Sequence, residues 1–284
     1  MVKFWQGPGC PGATNLCHWG TDMTFHKTIA AAALITAFSV AGAHASTITS
    51  QTFDADVTRS DTQAPGTWYT DRYNPAGFEG GVMFDGDNRL KHSIAAADGA
   101  NTRPGGFGSA FYNTQGRKFD TGGAISMAID LYIPQDWATA NRRMAGFWGT
   151  GLNAGSVISY YPIIEFASDN DDPRFQVWNG LGWSNIGLPT GFAYDSWYRM
   201  TMDLVGGDVV YTVGDLTETL DSNGTVEFSN VILQGYNTTD GVSYDIYWDN
   251  FTAAAIPVPA ALPLLGGGLA LLGFMGWRKR RAAA

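Results

Sequence analysis

Two carboxylates, Glu165 and Asp169, lie four residues apart in the stretch IIEFASD and come nearest to a catalytic acid pair. Even spacing places both on one face of a continuous strand, but roughly 13 Å apart at about 3.3 Å per residue. Direct cooperation across one bond, as in glycoside hydrolysis, needs carboxyl groups about 5–9.5 Å apart. The spacing therefore favours an ordinary strand end over a catalytic pair.

The central part of the chain has few histidine and cysteine side chains that could take part in catalysis or metal binding. Between residues 46 and 255 the chain has one histidine, His92, and no cysteine, because Cys10 and Cys17 precede this stretch. A zinc site or a Cys–His nucleophile needs more such side chains. No G-x-S-x-G motif indicates a serine hydrolase of that type. The surrounding RLKHSIAAAD predicts that His92 is a solvated histidine in a loop.

Acidic and amide side chains gather at several points that offer oxygen ligands to Ca²⁺, which takes roughly six to eight of them. The clearest are DGDN at Asp85–Asn88 and DNDD at Asp169–Asp172, in which Asp169 and Asp171 are candidate ligands. Neither has the EF-hand pattern. Since Asp and Asn are also favoured in turns, a structural calcium and ordinary turns both stay open.

Aromatic side chains concentrate in the middle third of the chain. Four are candidate contacts for a sugar ring: Trp148, Tyr160, Trp178 and Trp183. Flat aromatic faces stack on the apolar faces of sugars, while neighbouring Asn and Asp can bond the hydroxyl groups. Trp183 is the first choice because GLGWSN surrounds it with small and polar residues, which a core strand rarely does. The alternative is that these rings belong to the core.

Alternating apolar and polar residues predict that β-strands carry these side chains. One strand is predicted at 125–133, and Gly206-Gly207 between two further alternating runs predicts a hairpin. More strands are predicted at 157–166, 174–178, 226–228, 231–234 and 244–251. No helical periodicity is sustained. Residues 46–255 are therefore predicted to form one all-β domain, a sandwich or jelly roll.

The run YDIYWDNFTA, which begins at Tyr244, resembles the last strand of concanavalin A-like lectin/glucanase jelly rolls. The resemblance implies a jelly-roll β-sandwich whose concave sheet is the platform for extended glycans. It also implies that a structural calcium can involve the last strand, which makes Asp249 a candidate ligand. The glucanase members carry an E-x-D-x-E strand. This chain has no such motif, so their catalytic acids are not carried over.

The N-terminal region predicts export. Met23 opens MTFHKTIAAAALITAFSVAGAHA, in which Lys27, an apolar run and Ala43-His44-Ala45 form the three parts of a secretory signal peptide. Residues 23–45 are predicted to be cleaved off, the alternative being an uncleaved anchor. Residues 1–22 show no apolar periodicity and are predicted to be a start-site extension.

The C-terminal thirty residues combine a proline motif, an apolar run and a basic cluster. Residues 261–277 contain no charged side chain. At about 1.5 Å per residue they just cross a hydrocarbon core of roughly 30 Å, which predicts a transmembrane helix. The basic residues at 278–281 favour the cytoplasmic side, which places the preceding domain across the membrane.

The proline motif resembles the C-terminal sorting signal of exported Gram-negative proteins called PEP-CTERM, in its VPLPA variant. It consists of Ile256, Pro257, Val258, Pro259 and Ala260. Ile256 stands where the variant has Val, and Val258 where it has Leu; both changes are conservative. The resemblance implies that residues 256–284 are a sorting signal, cut by a membrane protease-transpeptidase called an exosortase. A permanent single-span anchor is the alternative.

The net charge of the chain limits the kinds of molecule that the central domain is expected to bind. The chain has a formal net charge of −9 at pH 7, and several of its basic residues lie in the two terminal segments. Nucleic acids and anionic membrane surfaces are therefore poor partners for the central domain. The sequence predicts a non-enzymatic glycan-binding or matrix protein at the cell surface, with no certain cofactor. The alternatives are a glycan-cleaving hydrolase or lyase on the same fold, and a purely structural surface protein.

Overall fold

The computed structural model describes residues 46–70, 73–96, 114–236 and 242–255. The predicted start-site extension, signal peptide and sorting signal, including Ile256–Ala260 and the span at 261–277, lie outside these ranges. Within them, no helix has the length and apolar character needed to cross a bilayer.

The described ranges fold into β-strands joined by turns, with two short 3₁₀ helices at Gln135–Thr139 and Asp169–Asp171. The strands are β1 (Ser46–Gln51), β2 (Arg59–Ser60), β3 (Trp68–Thr70), β4 (Gly77–Phe84), β5 (Asp87–Ile94), β6 (Thr114–Ala124), β7 (Ser126–Ile133), β8 (Arg143–Asn153), β9 (Ile158–Tyr160), β10 (Ile163–Ala167), β11 (Arg174–Trp178), β12 (Trp183–Gly187), β13 (Ser196–Val205), β14 (Asp208–Val213), β15 (Leu216–Asp221), β16 (Thr225–Tyr236) and β17 (Tyr244–Ala255).

The strands form two sheets. Sheet A has the order β15-β14-β13-β7-β17-β5-β4, with β1 also paired to β17. Sheet B has the order β12-β11-β10-β8-β16-β6-β3-β2, with β9 also paired to β8. The chain changes sheet repeatedly, so that strands far apart in sequence become neighbours. The predicted all-β fold, a β-sandwich of jelly-roll type, is confirmed.

One core lies between the sheets, and the alternation of β7 shows how the sequence builds it. Met127, Ile129, Leu131 and Ile133 are fully buried and point inward, as the alternating pattern predicts. Three tryptophans, Trp68, Trp137 and Trp248, are also fully buried in this core. Because large rings fill much of its volume, the sandwich needs no disulfide within the described residues.

The predicted hairpin and one predicted strand are found at the expected residues. Gly206 and Gly207 connect β13 to β14 with φ angles of 63° and 102°, a left-handed conformation that favours glycine. Strand β11 matches the prediction. The strand predicted at 157–166 is instead broken at Tyr161-Pro162, where proline has no N–H to donate. The two strands predicted at 226–228 and 231–234 form one strand, β16.

The prediction of a solvated loop for His92 is wrong. His92 lies in the middle of β5 and has no exposed surface. Its ring contacts Phe78 edge-on at 5.3 Å, and the indole N–H of Trp248 donates to its Nδ1 at 3.4 Å. The physical reason is alternation: Leu90, His92 and Ile94 share the inward face of β5.

Candidate functional site

The outer face of sheet B carries a row of side chains at one level of the strands, from β12 at one edge to β3 near the other. We call it the outer row. Cross-strand register aligns Trp183, Trp178, Ile163, Trp148, Ile232, Lys118 and Tyr69. Trp148, Ile163 and Ile232 form a small apolar cluster separate from the main core. Their sequence neighbours Phe147 and Ile164 point into the core instead, as alternation along a strand requires.

One end of the outer row opens into a depression of about 120 Å³, which we call the aromatic pocket. It is lined by Thr114, Arg143, Trp148, Tyr161, Ile163, Trp178 and Trp183. The rings of Trp178 and Trp183 meet at 5.4 Å and 64°, and those of Trp148 and Tyr161 at 6.0 Å and 88°. Trp148 is the buried floor, while Tyr161, Trp178 and Trp183 are half-buried. The pocket therefore offers aromatic surface to a ligand.

The hairpin that joins β11 to β12, between Trp178 and Trp183, has an apolar tip. Leu181, at its tip, is 96% exposed. The turn is held by the side-chain oxygen of Asn179, which accepts bonds from the backbone N–H groups of Leu181 at 2.9 Å and Gly182 at 2.7 Å. The hairpin thus holds Trp178 and Trp183 side by side at the edge of the sheet.

A second level of outward side chains, the polar row, runs beside the outer row. It contains Asn185, Gln176, Glu165, Gly146 and Gln234. Glu165 is only 2% exposed. Its Oε2 lies 2.8 Å from Nη2 of Arg143, and its Oε1 accepts a bond from Gln176 Nε2 at 2.6 Å. Both carboxylate oxygens are therefore occupied by donors from neighbouring strands.

Arg143 links the polar row to the aromatic pocket. Its guanidinium carbon lies 4.4 Å from the ring centroid of Trp183, a cation–π distance. The same guanidinium makes the double contact with Glu165, through Nε and Nη2. Arg143 is thereby held between a carboxylate and an aromatic face.

The polar row also contains a buried acceptor. Gly146 lies between Glu165 and Gln234, and a Cβ there would lie 2.6 Å from Gln234 Nε2, so glycine leaves room for that amide. Gln234 is 2% exposed, and its Oε1 has no hydrogen-bond partner. Thr150 and Asn230, beyond the outer row, are also buried with an unpartnered side-chain oxygen each. Buried acceptors without a protein partner are costly, and such oxygens are usually satisfied by an ordered water.

Of the four predicted sugar contacts, the structure brings Trp148, Trp178 and Trp183 together. Tyr160 lies elsewhere: it is 5% exposed in the main core, where its hydroxyl donates to the carbonyl of Trp178 and lies 3.2 Å from the hydroxyl of Tyr211. This placement removes Tyr160 from the candidate site. Tyr161, its neighbour, lines the pocket instead, because adjacent residues of an extended chain point to opposite faces.

The two carboxylates that came nearest to a catalytic pair have separate partners. Strand β10 ends at Ala167, before Asp169 is reached. Asp169 accepts a bond from Arg174 Nη2 at 2.8 Å, whereas Glu165 contacts Arg143. Each carboxylate therefore has its own arginine, which agrees with the strand-end interpretation rather than with shared chemistry.

The candidate calcium ligands are also separated. Asp249 lies in β17 of sheet A and forms an ion pair with Arg89, while Asp169 and Asp171 lie in the connection between β10 and β11 of sheet B. Asp85 lies in the turn between β4 and β5, with a φ of 49°. Among the described residues, no group of three or more acidic, histidine or cysteine side chains is placed to hold a metal.

Sequence reasoning missed the partners in the polar row. Arg143, Gln176 and Gln234 come from three strands and meet only through strand register, which no local pattern reveals. An acidic residue inside the apolar run IIEFA was the one available signal, since a buried carboxylate needs a partner.

The comparisons with known proteins come from structure alone, since neither a family model nor a curated protein matches the chain. A GlcNAcα1-4Gal releasing endo-β-galactosidase from Clostridium perfringens is 14% identical with a TM-score of 0.50, covering 77% of this chain and 64% of that one. The laminarinase catalytic domain from Thermotoga maritima MSB8 is 13% identical with a TM-score of 0.46, covering 74% of this chain and 98% of that one.

A sialidase is 11% identical with a TM-score of 0.43, covering 72% of this chain. The chain spans 19% of the sialidase and 64% of the endo-β-galactosidase, less than two thirds of either. The likeness to the endo-β-galactosidase shows a shared fold, the β-sandwich described above.

Proposed function

We propose that this protein engages a glycan on the outer face of sheet B, with sugar rings stacked in the aromatic pocket. The observation that carries the proposal is the convergence of Trp178, Trp183 and Tyr161, all half-buried, around the buried ring of Trp148. Aromatic faces beside a few fixed polar groups are the usual composition of a small-molecule or sugar site.

Within this proposal, the similarity to the endo-β-galactosidase favours cleavage of the glycan over binding alone. The similar endo-β-galactosidase is named for cutting a glycan, and this chain shares its fold. Glu165 is the carboxylate of the polar row and would be the first candidate for an acid or a nucleophile.

Binding without cleavage is the second candidate, favoured by the contacts of Glu165. Hydrolysis by paired carboxylates requires two of them about 5–9.5 Å apart. Glu165 is held by Arg143 and Gln176, and Asp169 is held by Arg174. A carboxylate neutralised in this way can hold the neighbouring side chains of a binding surface in place. Glu165 would have to separate from Arg143 before it could act as an acid or a nucleophile.

Incubation of the purified chain with β-glucan and β-galactan oligosaccharides, followed by separation of products, distinguishes the two candidates. Binding with shorter products that disappear in Glu165→Gln would establish cleavage. Binding with intact oligosaccharide would establish a binding protein. Neither binding nor products across a broad glycan panel would contradict the proposal and favour a structural surface protein.

Trp183→Ala is expected to weaken glycan affinity by about 1–3 kcal/mol, roughly 5- to 150-fold, because a stacked ring is lost. Stability should fall less than the roughly 3–5 kcal/mol of a core tryptophan, since Trp183 packs against the outer-face cluster and not the main core. Isothermal titration and thermal unfolding measure the two effects.

Trp197→Ala is the matched control. Trp197 is also half-buried and is also covered by an arginine, Arg89 at 5.0 Å, but it lies on sheet A. Its removal should leave glycan affinity unchanged. Unchanged affinity in Trp183→Ala, or a loss of stability on the scale of a core ring, would remove Trp183 from the site.

We also propose that the protein is exported and then sorted, with the body released to the cell surface or matrix after processing by an exosortase. Support comes from residues 23–45 and 256–284, whose sequence has the parts of a signal peptide and of a VPLPA-type signal. The mature protein is expected to lack residues beyond about Ala260, and replacing Pro257 and Pro259 should leave the precursor in the inner membrane. Mass spectrometry that finds Arg278–Arg281 on the surface-located protein would favour the permanent anchor.

A further inference from the structure

Arg143 is the charged side chain among the residues that line the aromatic pocket, and its charge is already compensated. Its guanidinium contacts both oxygens of Glu165 and lies over the ring of Trp183. The side chain of Arg143 is 17% exposed and that of Glu165 is 2% exposed, so water screens this pair little. A ligand in the pocket therefore meets a guanidinium face with no free positive charge.

Glu165 is fixed by its position in the sheet. In register it lies between Gly146 on β8 and Gln176 on β11. Gly146 has no side chain to contact Glu165 on one side, while Gln176 donates to Glu165 from the other at 2.6 Å. Since Gln176 in turn accepts a bond from Arg174 at 3.0 Å, the carboxylate cannot turn away without breaking a chain of contacts.

We infer that Glu165 is a positioning residue that sets the aromatic pocket for neutral, hydroxyl-rich sugars and against acidic ones. The inference rests on the proposed glycan site and names the class of glycan. An acidic sugar at Arg143 would either displace Glu165, which leaves a buried carboxylate without its partner, or add a second negative charge beside it. A neutral sugar can stack beside the guanidinium without disturbing the pair.

The test uses Glu165→Gln, which keeps the shape of the side chain and removes its charge. The probes are a neutral β-glucan oligosaccharide and an oligogalacturonate, each titrated into the purified chain at low and at high salt. The unchanged chain should bind the neutral probe with an affinity that salt does not alter. Glu165→Gln should gain affinity for the oligogalacturonate by about tenfold or more, the scale of one charge-assisted hydrogen bond, and lose that gain at high salt.

Asp249→Asn is the matched control, because Asp249 also pairs with a partly buried arginine, Arg89, which lies over a tryptophan ring on sheet A. It should not change the preference between the probes. If Glu165→Gln does not fold, the double variant Arg143→Met with Glu165→Gln removes both charges and should still bind only the neutral probe.

The outcomes separate this inference from the proposed function. Binding of the oligogalacturonate by the unchanged chain, if it is lost in Trp183→Ala, overturns the inference and leaves the glycan site in place. A Glu165→Gln variant that folds but gains no affinity for the acidic probe also overturns it. Binding of either probe that is indifferent to Trp183→Ala overturns the proposed site itself.

Discussion

Acidification from pH 8 to pH 5 is expected to lower the free energy of unfolding by about 2 kcal/mol through His92 alone, at 1.36 kcal/mol per pKa unit. Burial lowers the pKa of His92 from 6.5 to about 3. The unfolded chain therefore binds a proton below about pH 6.5 that the folded chain does not bind. The contribution of His92 to the free energy of unfolding is fully present above that pH. It is lost as the pH falls toward 3, where the total loss approaches about 5 kcal/mol.

The groups that face His92 do not remove this effect. After burial, the backbone of Gln115 raises its pKa, Arg117 lowers it and Asp245 raises it. Trp248 donates to Nδ1 from β17, which also favours the neutral ring. A protonated imidazole at this position would have to displace that donor inside the core.

His92→Gln removes the titration and keeps an acceptor near Trp248. Urea unfolding of both chains at several pH values isolates the effect, because the carboxylates that titrate are common to both. The unfolding free energy of the variant should change less between pH 8 and pH 5, by about 2 kcal/mol. Parallel pH profiles would show that His92 does not titrate between the folded and unfolded states as stated.

Asp249→Asn is expected to cost about 3 kcal/mol of stability, because it leaves the partly buried side chain of Arg89 without the negative charge that compensates it. Arg89 is 14% exposed and Asp249 5% exposed at their side chains. Asp87 also contacts Arg89 at 3.0 Å, but it is 56% exposed and compensates little. Chemical unfolding of the variant and the unchanged chain measures the loss.

Asp130→Asn is the control, since Asp130 lies directly opposite Asp249 in register and pairs with the more exposed Arg199. Its loss should stay below about 1 kcal/mol. Equal losses of unfolding free energy in the two variants would contradict the statement that the Asp249–Arg89 pair matters more because it is more buried. A fall in melting temperature on EDTA treatment, reversed by calcium and absent in Asp249→Asn, would instead show that a cation rather than Arg89 stabilises Asp249.

The fold could be predicted from the sequence where it depends on residue alternation and turn residues within a short stretch of chain. The inward face of β7 and the glycine pair at 206–207 follow from two-residue periodicity and from φ angles that glycine favours. The prediction of a loop for His92 is wrong because the decisive pattern is the alternation of Leu90, His92 and Ile94 along β5.

The candidate site could be predicted only in part from the sequence, for a different reason. Three of its rings were selected by composition, but the choice between Tyr160 and Tyr161 depends on which face each presents. The contact between Arg143 and Glu165 spans two strands whose register is set by the whole sheet. Such non-local pairings have no signature within a short stretch of chain.

Titration of the purified, isotope-labelled chain with a neutral β-glucan or β-galactan oligosaccharide, followed through the indole N–H signals in NMR spectra, tests the central claim most directly. The account predicts that the signals of Trp178 and Trp183 shift with the ligand, while that of Trp197 on sheet A stays in place. Shifts confined to Trp197, or none at Trp178 and Trp183 at saturating ligand, would contradict a glycan site on the outer face of sheet B.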